Sequence, residues 1–149
     1  MTITDILAAA QKRAAGRALS YQGALSPVEA EEVRARVPGS TLVDVRTRAE
    51  LDFVGRIPGS VEIEWQSYPG GDPNPHFLAH LERQVSKESL VMFICRSGAR
   101  SHAAATAAAA AGYTQCYNVL EGFQGDKDAN GHRDSVGGWR LAGLPWYQS

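Results

Sequence analysis

The sequence predicts an α/β fold with a central, mainly parallel sheet of about five strands and helices on both of its faces. Short β-branched or apolar segments alternate along the chain with segments of helical pattern. Residues 90–94 form an uninterrupted apolar run, which is typical of a strand buried on both faces of a parallel sheet. Helix-capping residues and Pro or Gly breakers separate these segments, and this order predicts parallel strands joined by helical crossovers.

The N-terminal part is predicted to be helical. Residues 2–19 place Ile3, Ile6, Leu7 and Ala10 on one helical face. Residues 21–25 are predicted to be a loop. We therefore separate an N-terminal extension, residues 1–25, from a domain that covers residues 26–149.

Strands and helices alternate in the rest of the chain. Ser26 and Glu29 form a capping box with Pro27 between them, and the helix that they begin should run to about Val37, where Pro38 and Gly39 stop it. A second box, Thr47 to Glu50, begins a short helix. Strands are predicted at 41–45, 61–63, 90–94 and 116–120, further helices at 47–53, 76–85 and 101–111, a long loop at 122–138 and a helical turn at 139–144.

Composition limits the functional classes. The chain has 149 residues, 44% hydrophobic and 21% charged, with a formal net charge of −1, which is typical of one soluble domain without a nucleic-acid or membrane partner. No apolar run approaches the ~20 residues of a membrane span. The N-terminus lacks the pattern of a secretory signal, so we expect a cytoplasmic protein. The two cysteines fit no zinc spacing, and neither a metal nor another cofactor is expected.

The segment after the apolar strand carries the chemistry. Cys95 follows this strand directly and precedes a loop with Gly98 and the start of a helix. Free backbone N–H groups and the helix dipole at such a position favour an anion, and therefore the reactive thiolate form of a cysteine. Arg96 and Arg100 add positive charge nearby. The residues predict a nucleophilic cysteine in an anion-binding loop.

Two chemistries use such a loop: attack of cysteine on phosphorus in phosphatases, and attack on a sulfane sulfur in sulfur transfer. Here the sequence resembles the rhodanese family, whose sulfur-transferring members have a six-residue loop, the length of Cys95–Arg100. The related phosphatases and arsenate reductases have a loop one residue longer. Residues 42–46 are similar to the family's first signature strand, and residues 55–60 to its second, with Arg56 in place of the usual His. The resemblance covers about Ser26 to Trp146.

The resemblance implies a rhodanese-like fold and a two-step reaction. Cys95 takes the outer sulfur of a donor such as thiosulfate as a persulfide. Cyanide or a thiol, which can belong to a protein, then accepts this sulfur. The persulfide would lie among the loop residues Arg96, Ser97, Gly98, Ala99, Arg100 and Ser101, with Asp44 and Arg46 in support. The expected partners are thus a small anionic donor and its acceptor; a monomer and a small homo-oligomer both remain open.

Several residues have plainer interpretations. Asp44 is expected to bond backbone or arginine rather than to act as a base, and Arg46 to pair with Glu50 at helical spacing. Cys116 is expected in the core rather than as a resolving thiol for Cys95, and His102 partly exposed on a helix. The 122–138 region is a candidate wall of the active-site entrance, through Phe123 or Trp139.

Two other functions remain as alternatives. A rhodanese-like module that senses persulfides or binds a partner is one, although such modules often lack the cysteine that is present here. A cysteine-dependent phosphatase or arsenate reductase is the other, and the loop length argues against it.

Overall fold

The computed structural model describes all residues, 1–149. Five strands form one sheet in the order β1-β5-β4-β2-β3, and every neighbouring pair is parallel. The predicted fold class is confirmed. The elements along the chain are α1 (Ile3–Gly16), β1 (Gly23–Leu25), α2 (Pro27–Arg36), β2 (Thr41–Asp44), α3 (Arg48–Val54), β3 (Val61–Glu62), α4 (Phe77–Gln84), β4 (Leu90–Ile94), α5 (Ala99–Ala110) and β5 (Gln115–Val119).

Three helices begin at complete capping boxes. The side chains of Thr2, Ser26 and Thr47 accept hydrogen bonds from the backbone N–H groups three residues later. The acidic side chain of that later residue accepts a hydrogen bond from the backbone N–H of the capping residue. The boxes predicted at Ser26 and Thr47 are confirmed. Helix α5 differs, because it begins after Gly98 without any side-chain cap. Its first amides therefore stay available to another partner.

The sheet has an apolar core on each face. On one face, Val91, Phe93 and Cys95 of the central strand region pack with residues of α4 and α5. On the other face, Met92 and Ile94 pack with residues of α1 and α2. Both faces are covered, which is why the whole of β4 is buried and apolar.

The N-terminal segment contributes to this architecture. The helix predicted in residues 2–19 is present as α1, with Ile6, Ala10 and Ala14 buried. The prediction of a loop over residues 21–25 is wrong, because Gly23–Leu25 form the edge strand β1 beside β5. A Cβ atom on Gly23 would lie 2.5 Å from the ring of Tyr117, so the strand needs glycine there and lacks the β-branched residues that usually mark a strand.

The C-terminal segment folds back onto the core. Of the helical turn predicted at residues 139–144, residues 139–143 form turns, with the Ala142 N–H donating to the Gly138 carbonyl at helical spacing. Phe123 and Trp139 are fully buried in the core beside α1 and α2. No helix in the structure combines the length and the apolar character that a membrane crossing requires.

Candidate active site

The loop that begins with Cys95 lies at the carboxyl edge of the sheet, between β4 and α5. Sites of parallel α/β proteins form at this edge. The Cys95 side chain is buried, with 1% of its surface exposed. The backbone N–H of Gly98 donates to Cys95 Sγ over 3.1 Å. Gly98 has a φ of 115°, a conformation that favours glycine, and this turn brings its amide onto the sulfur.

The backbone of the loop is fixed from behind. The Cys95 carbonyl accepts from the N–H of Phe123, and the Arg96 carbonyl accepts from the N–H groups of Gln124 and Gly125. The amides of residues 96, 97, 99, 100 and 101 donate to no acceptor of the protein. The loop thus directs its carbonyls to the 122–125 turn and leaves amides free at the start of a helix, which favours a bound anion.

Ser101 supplies a hydroxyl beside the sulfur. Its Oγ lies 3.3 Å from Cys95 Sγ and 3.1 Å from the Gly98 carbonyl oxygen, to which it donates. When the cysteine is a thiol, its S–H can donate to Ser101 Oγ. When it is a thiolate, the hydroxyl can turn and donate to the sulfur instead. Ser101 therefore accommodates both charge states without moving its heavy atoms.

The two loop arginines have different environments. Arg100 makes a two-pronged ion pair with Glu50 of α3, with N–O distances of 2.6 and 2.9 Å. Burial alone raises the pKa of the Glu50 carboxyl, but the hydrogen bonds and charge of Arg100, together with Thr47, outweigh it and hold the pKa at about 2. Arg96 is exposed and makes no ion pair. Only one of the two expected cations is therefore free to attract an anion.

The pairing predicted between Arg46 and Glu50 is wrong. Arg46 instead binds Asp44, with a shortest N–O distance of 2.7 Å, and both side chains are fully buried. Arg46 also donates to the Gly55 carbonyl, and its guanidinium lies 4.0 Å from the centre of the Phe123 ring. The helical spacing rule fails here because Arg46 precedes the helix and turns into the core. Both carboxylate oxygens of Asp44 accept bonds from Arg46, which is the arginine contact expected for Asp44.

Cys116 lies in the core, as predicted, with 1% of its surface exposed. Burial raises the pKa of the Cys116 thiol to about 12. Cys116 pairs in register with Val91, at the other end of β4 from Cys95. Four residues of strand, at about 3.3 Å each, separate the two positions by roughly 13 Å, whereas a disulfide needs Cα atoms within about 7 Å. Cys116 is thus too far away to resolve a persulfide on Cys95.

The remaining predicted residues are distributed around the loop. Ser97 is half-buried and Ala99 is exposed, while His102 is exposed on the first turn of α5. Phe123 and Trp139 do not line the entrance, because both are core residues; that part of the prediction is wrong. Arg56 is paired with Asp52 and Glu62, so its charge is compensated. No group of three or more His, Cys, Asp or Glu side chains lies close enough to hold a metal ion.

Two residues near the loop were not predicted from the sequence. Tyr21, from the N-terminal segment, places its hydroxyl 2.8 Å from His102 Nδ1. Asn118, in β5, donates from Nδ2 to the Gly98 carbonyl over 3.4 Å. The position of Asn118 between Tyr117 and Val119 in the buried part of a strand was the available signal for this residue. Nothing local marks Tyr21, because its neighbours come from distant parts of the chain.

Comparison with known proteins identifies the family. The sequence model of the rhodanese-like domain matches residues 29–129. The chain belongs to the rhodanese-like family. A crystal structure of the protein Rv0390 from M. tuberculosis is similar, with 44% identity, a TM-score of 0.80, and coverage of 87% of this chain and 99% of that one.

Two further relatives extend the comparison. An uncharacterized protein of Rickettsia conorii is 35% identical over 111 residues, which covers 70% of this rhodanese-like chain and 80% of the relative. The polysulfide-sulfur transferase homodimer of Wolinella succinogenes has a solution structure with 22% identity and a TM-score of 0.60, covering 96% of this chain and 85% of that one. At this identity the second likeness concerns the fold alone.

Proposed function

We propose that this rhodanese-like protein is a sulfurtransferase that carries sulfane sulfur as a persulfide on Cys95. The observation that supports it most is the position of Cys95 Sγ, which receives the Gly98 N–H over 3.1 Å at the uncapped start of α5. The unpaired backbone N–H groups of the loop stabilise the negative charge of a persulfide in the same way as that of a thiolate. The polysulfide-sulfur transferase of Wolinella succinogenes, which shares this fold, transfers the same kind of sulfur.

The reaction has two displacements on sulfur. The Cys95 thiolate attacks the outer sulfur of the donor, a new S–S bond forms, and the donor's S–S bond breaks. With thiosulfate, sulfite leaves with the bonding electrons. A thiolate or cyanide then attacks the outer sulfur of the persulfide, and the electrons of the breaking bond return to Cys95 as the thiolate. The loop residues Arg96 to Ser101 hold the persulfide, and no metal or organic cofactor takes part.

The positive charge at the Cys95 loop determines how much negative charge a bound sulfur donor can carry. Arg100 is neutralised by Glu50, so Arg96 alone attracts an anion, and thiosulfate carries two negative charges. A singly charged organic persulfide needs less compensation than thiosulfate. We expect Glu50→Gln to free the Arg100 guanidinium and to lower KM for thiosulfate more than KM for an organic persulfide. Equal changes in both KM values would contradict this assignment.

Burial of the sulfur supports a second candidate function. With 1% of Cys95 exposed, a bulky acceptor reaches the sulfur only if the loop opens, which would suit a persulfide sensor that loads slowly and transfers little. A phosphatase or arsenate reductase has less support, because Cys95–Arg100 is a residue shorter than the loops of those enzymes. For the sulfurtransferase, the proposed partners are a small anionic donor and a thiol or cyanide acceptor in the cytoplasm.

An intact-mass experiment tests the proposal. The protein is incubated separately with thiosulfate and with glutathione persulfide, then with cyanide, and thiocyanate is assayed. We expect the wild type and Cys116→Ala to gain the mass of one sulfur and lose it to cyanide, while Cys95→Ser does neither. Loading without turnover would favour the sensor. No loading from either donor, with hydrolysis of an aryl phosphate or reduction of arsenate, would refute sulfur transfer.

A further inference from the structure

Residues 122–125 form a turn that lies between the Cys95 loop and a C-terminal segment, residues 133–140. On one edge of this turn, three successive N–H groups donate to the carbonyls of Cys95 and Arg96, over 2.8, 3.0 and 3.2 Å. On its other edge, all four carbonyls of the turn accept hydrogen bonds from the C-terminal segment. The pairs are Trp139 N–H to Gly122, Arg140 N–H to Phe123, Asp134 N–H to Gln124 and the Arg133 guanidinium to Gly125.

The three stretches of backbone are too close together for side chains at two positions. A Cβ atom on Gly122 would lie 2.5 Å from the Cys95 carbonyl oxygen, and one on Gly138 would lie 2.7 Å from the Gly125 nitrogen. No side chain lies between the stretches at these positions to absorb a displacement. A shift of the C-terminal segment is therefore transmitted to the turn, and from the turn to the Cys95 loop.

The bonds from the turn determine the direction of two N–H groups of the loop. In a planar trans peptide, the carbonyl and the N–H point in opposite directions. The Cys95 carbonyl shares its peptide with the Arg96 N–H, and the Arg96 carbonyl shares its peptide with the Ser97 N–H. Because the turn holds both carbonyls, both N–H groups point away from it, and neither donates to an acceptor of the protein. They remain available to stabilise a negative charge at the loop.

Glu121 links the C-terminal segment to the beginning of the turn. Its Oε1 accepts from the Gly138 N–H over 2.9 Å. Its φ is 67°, a conformation that is unfavourable for a residue other than glycine and persists only where the surroundings fix it. Glu121 is exposed, so its hydrogen bond to Gly138, rather than burial of its side chain, holds the backbone in this conformation.

We propose that Glu121 is a positioning residue for Cys95. By binding the C-terminal segment to the start of the turn, it keeps the N–H groups of Arg96 and Ser97 directed away from the turn, where they favour the thiolate. The proposal rests on the proposed function only in taking Cys95 to be the reactive thiol. The other charged groups around the loop stay unchanged in the variants below: Arg96, the Arg100–Glu50 pair and the Arg46–Asp44 pair.

The test is the pH profile of Cys95 alkylation by iodoacetamide, followed on the Cys95 peptide by mass spectrometry so that Cys116 does not contribute. Glu121→Ala is compared with Glu121→Gln. Both variants lack the carboxylate charge, but only glutamine keeps an oxygen that can accept from the Gly138 N–H. The midpoint of the profile in Glu121→Ala should lie about half a pH unit above that in Glu121→Gln, and the rate below the midpoint should be about threefold lower.

The comparison with the wild type separates positioning from charge. A negative charge near a thiolate disfavours it, so loss of the Glu121 charge alone should leave the midpoint of Glu121→Gln at or below that of the wild type. Glu121→Ala should lie above the wild type, because the loss of position outweighs the loss of charge. A rise of the same size in both variants would overturn the proposal.

Asp128→Ala is the matched control. The Asp128 carboxylate also accepts from backbone N–H groups, those of Asn130 and His132, but it has no hydrogen bond to the turn or to the Cys95 loop. Its midpoint should stay at that of the wild type. Equal midpoints in the two Glu121 variants, or a rise in Asp128→Ala equal to that in Glu121→Ala, would overturn the proposal. A Cys95 that shows the expected midpoints but never accepts sulfur would instead refute the proposed function and leave the positioning intact.

Discussion

The ion pair between Glu50 and Arg100 makes a measurable prediction about acid stability. Replacing Glu50 by glutamine keeps the size of the side chain but removes its negative charge. The pKa of Glu50 lies at about 2, compared with an ordinary value of 4.5. Because folding lowers this pKa, the pair stabilises the protein fully above about pH 4.5, and that stabilisation is lost as the pH falls towards 2.

The magnitude follows from the same values. At 1.36 kcal/mol per pH unit, the difference between 4.5 and about 2 corresponds to roughly 3 kcal/mol. The side chains of Arg100 and Glu50 keep 16% and 17% of their surface exposed, so water screens the pair. We expect a contribution of about 1–2 kcal/mol after this screening.

Urea unfolding of the wild type and Glu50→Gln at about pH 6 and about pH 3 measures the effect. The wild type should exceed the variant in free energy of unfolding at the higher pH, and the gap should narrow by about 1 kcal/mol at the lower pH. Other carboxylates titrate equally in both proteins and cancel in the comparison. If the two proteins lose stability in parallel, the ion pair does not stabilise the fold in the way we describe.

Three further substitutions test the fixed backbone, the buried ion pair and the second thiol. Gly122→Ala should lower the free energy of unfolding by about 2 kcal/mol and slow sulfur loading, because its Cβ would lie 2.5 Å from the backbone of the Cys95 loop at a φ of +65°. The control is Gly131→Ala, which also has a positive φ, +78°, but whose Cβ would lie in open space; it should leave sulfur loading unchanged. Arg46→Leu should cost about 3–5 kcal/mol by thermal or urea unfolding, because it leaves Asp44 buried without a counter-charge, and a loss below 1 kcal/mol would contradict this. Cys116→Ala should cost about 1 kcal/mol and retain full sulfur loading, whereas loss of loading would implicate this thiol in the reaction.

Local signals in the sequence predict most of the fold. The capping boxes at Ser26 and Thr47 act within four residues, and the apolar run at 90–94 suffices to indicate a doubly covered strand. The edge strand β1 has no such local signal. Its Gly23 must be glycine because the ring of Tyr117, which is distant in the sequence, occupies the space of a side chain. A pattern that depends on a distant partner carries no local signal.

The candidate site shows the same division. The position of Cys95 between a buried strand and a helix follows from local pattern, and so does its glycine-containing loop. The ion-pair partners of the charged residues do not follow from local pattern. Glu50 meets Arg100 rather than Arg46, and Phe123 fills the core instead of lining the entrance, because in both cases the sheet brings distant segments together.

The pairing of β1 with β5 has a consequence for synthesis of the chain. Gly23 is in register with Tyr117, so two segments near opposite ends of 149 residues become neighbours. A nascent chain that ends before Gln115 has no partner strand for β1, and one that ends before Phe123 lacks the donors for the Cys95 and Arg96 carbonyls. Closing such long-range contacts comes late in folding. The backbone contacts that hold the Cys95 loop therefore form only after residues 115–125, which follow that loop in the sequence, have been synthesised.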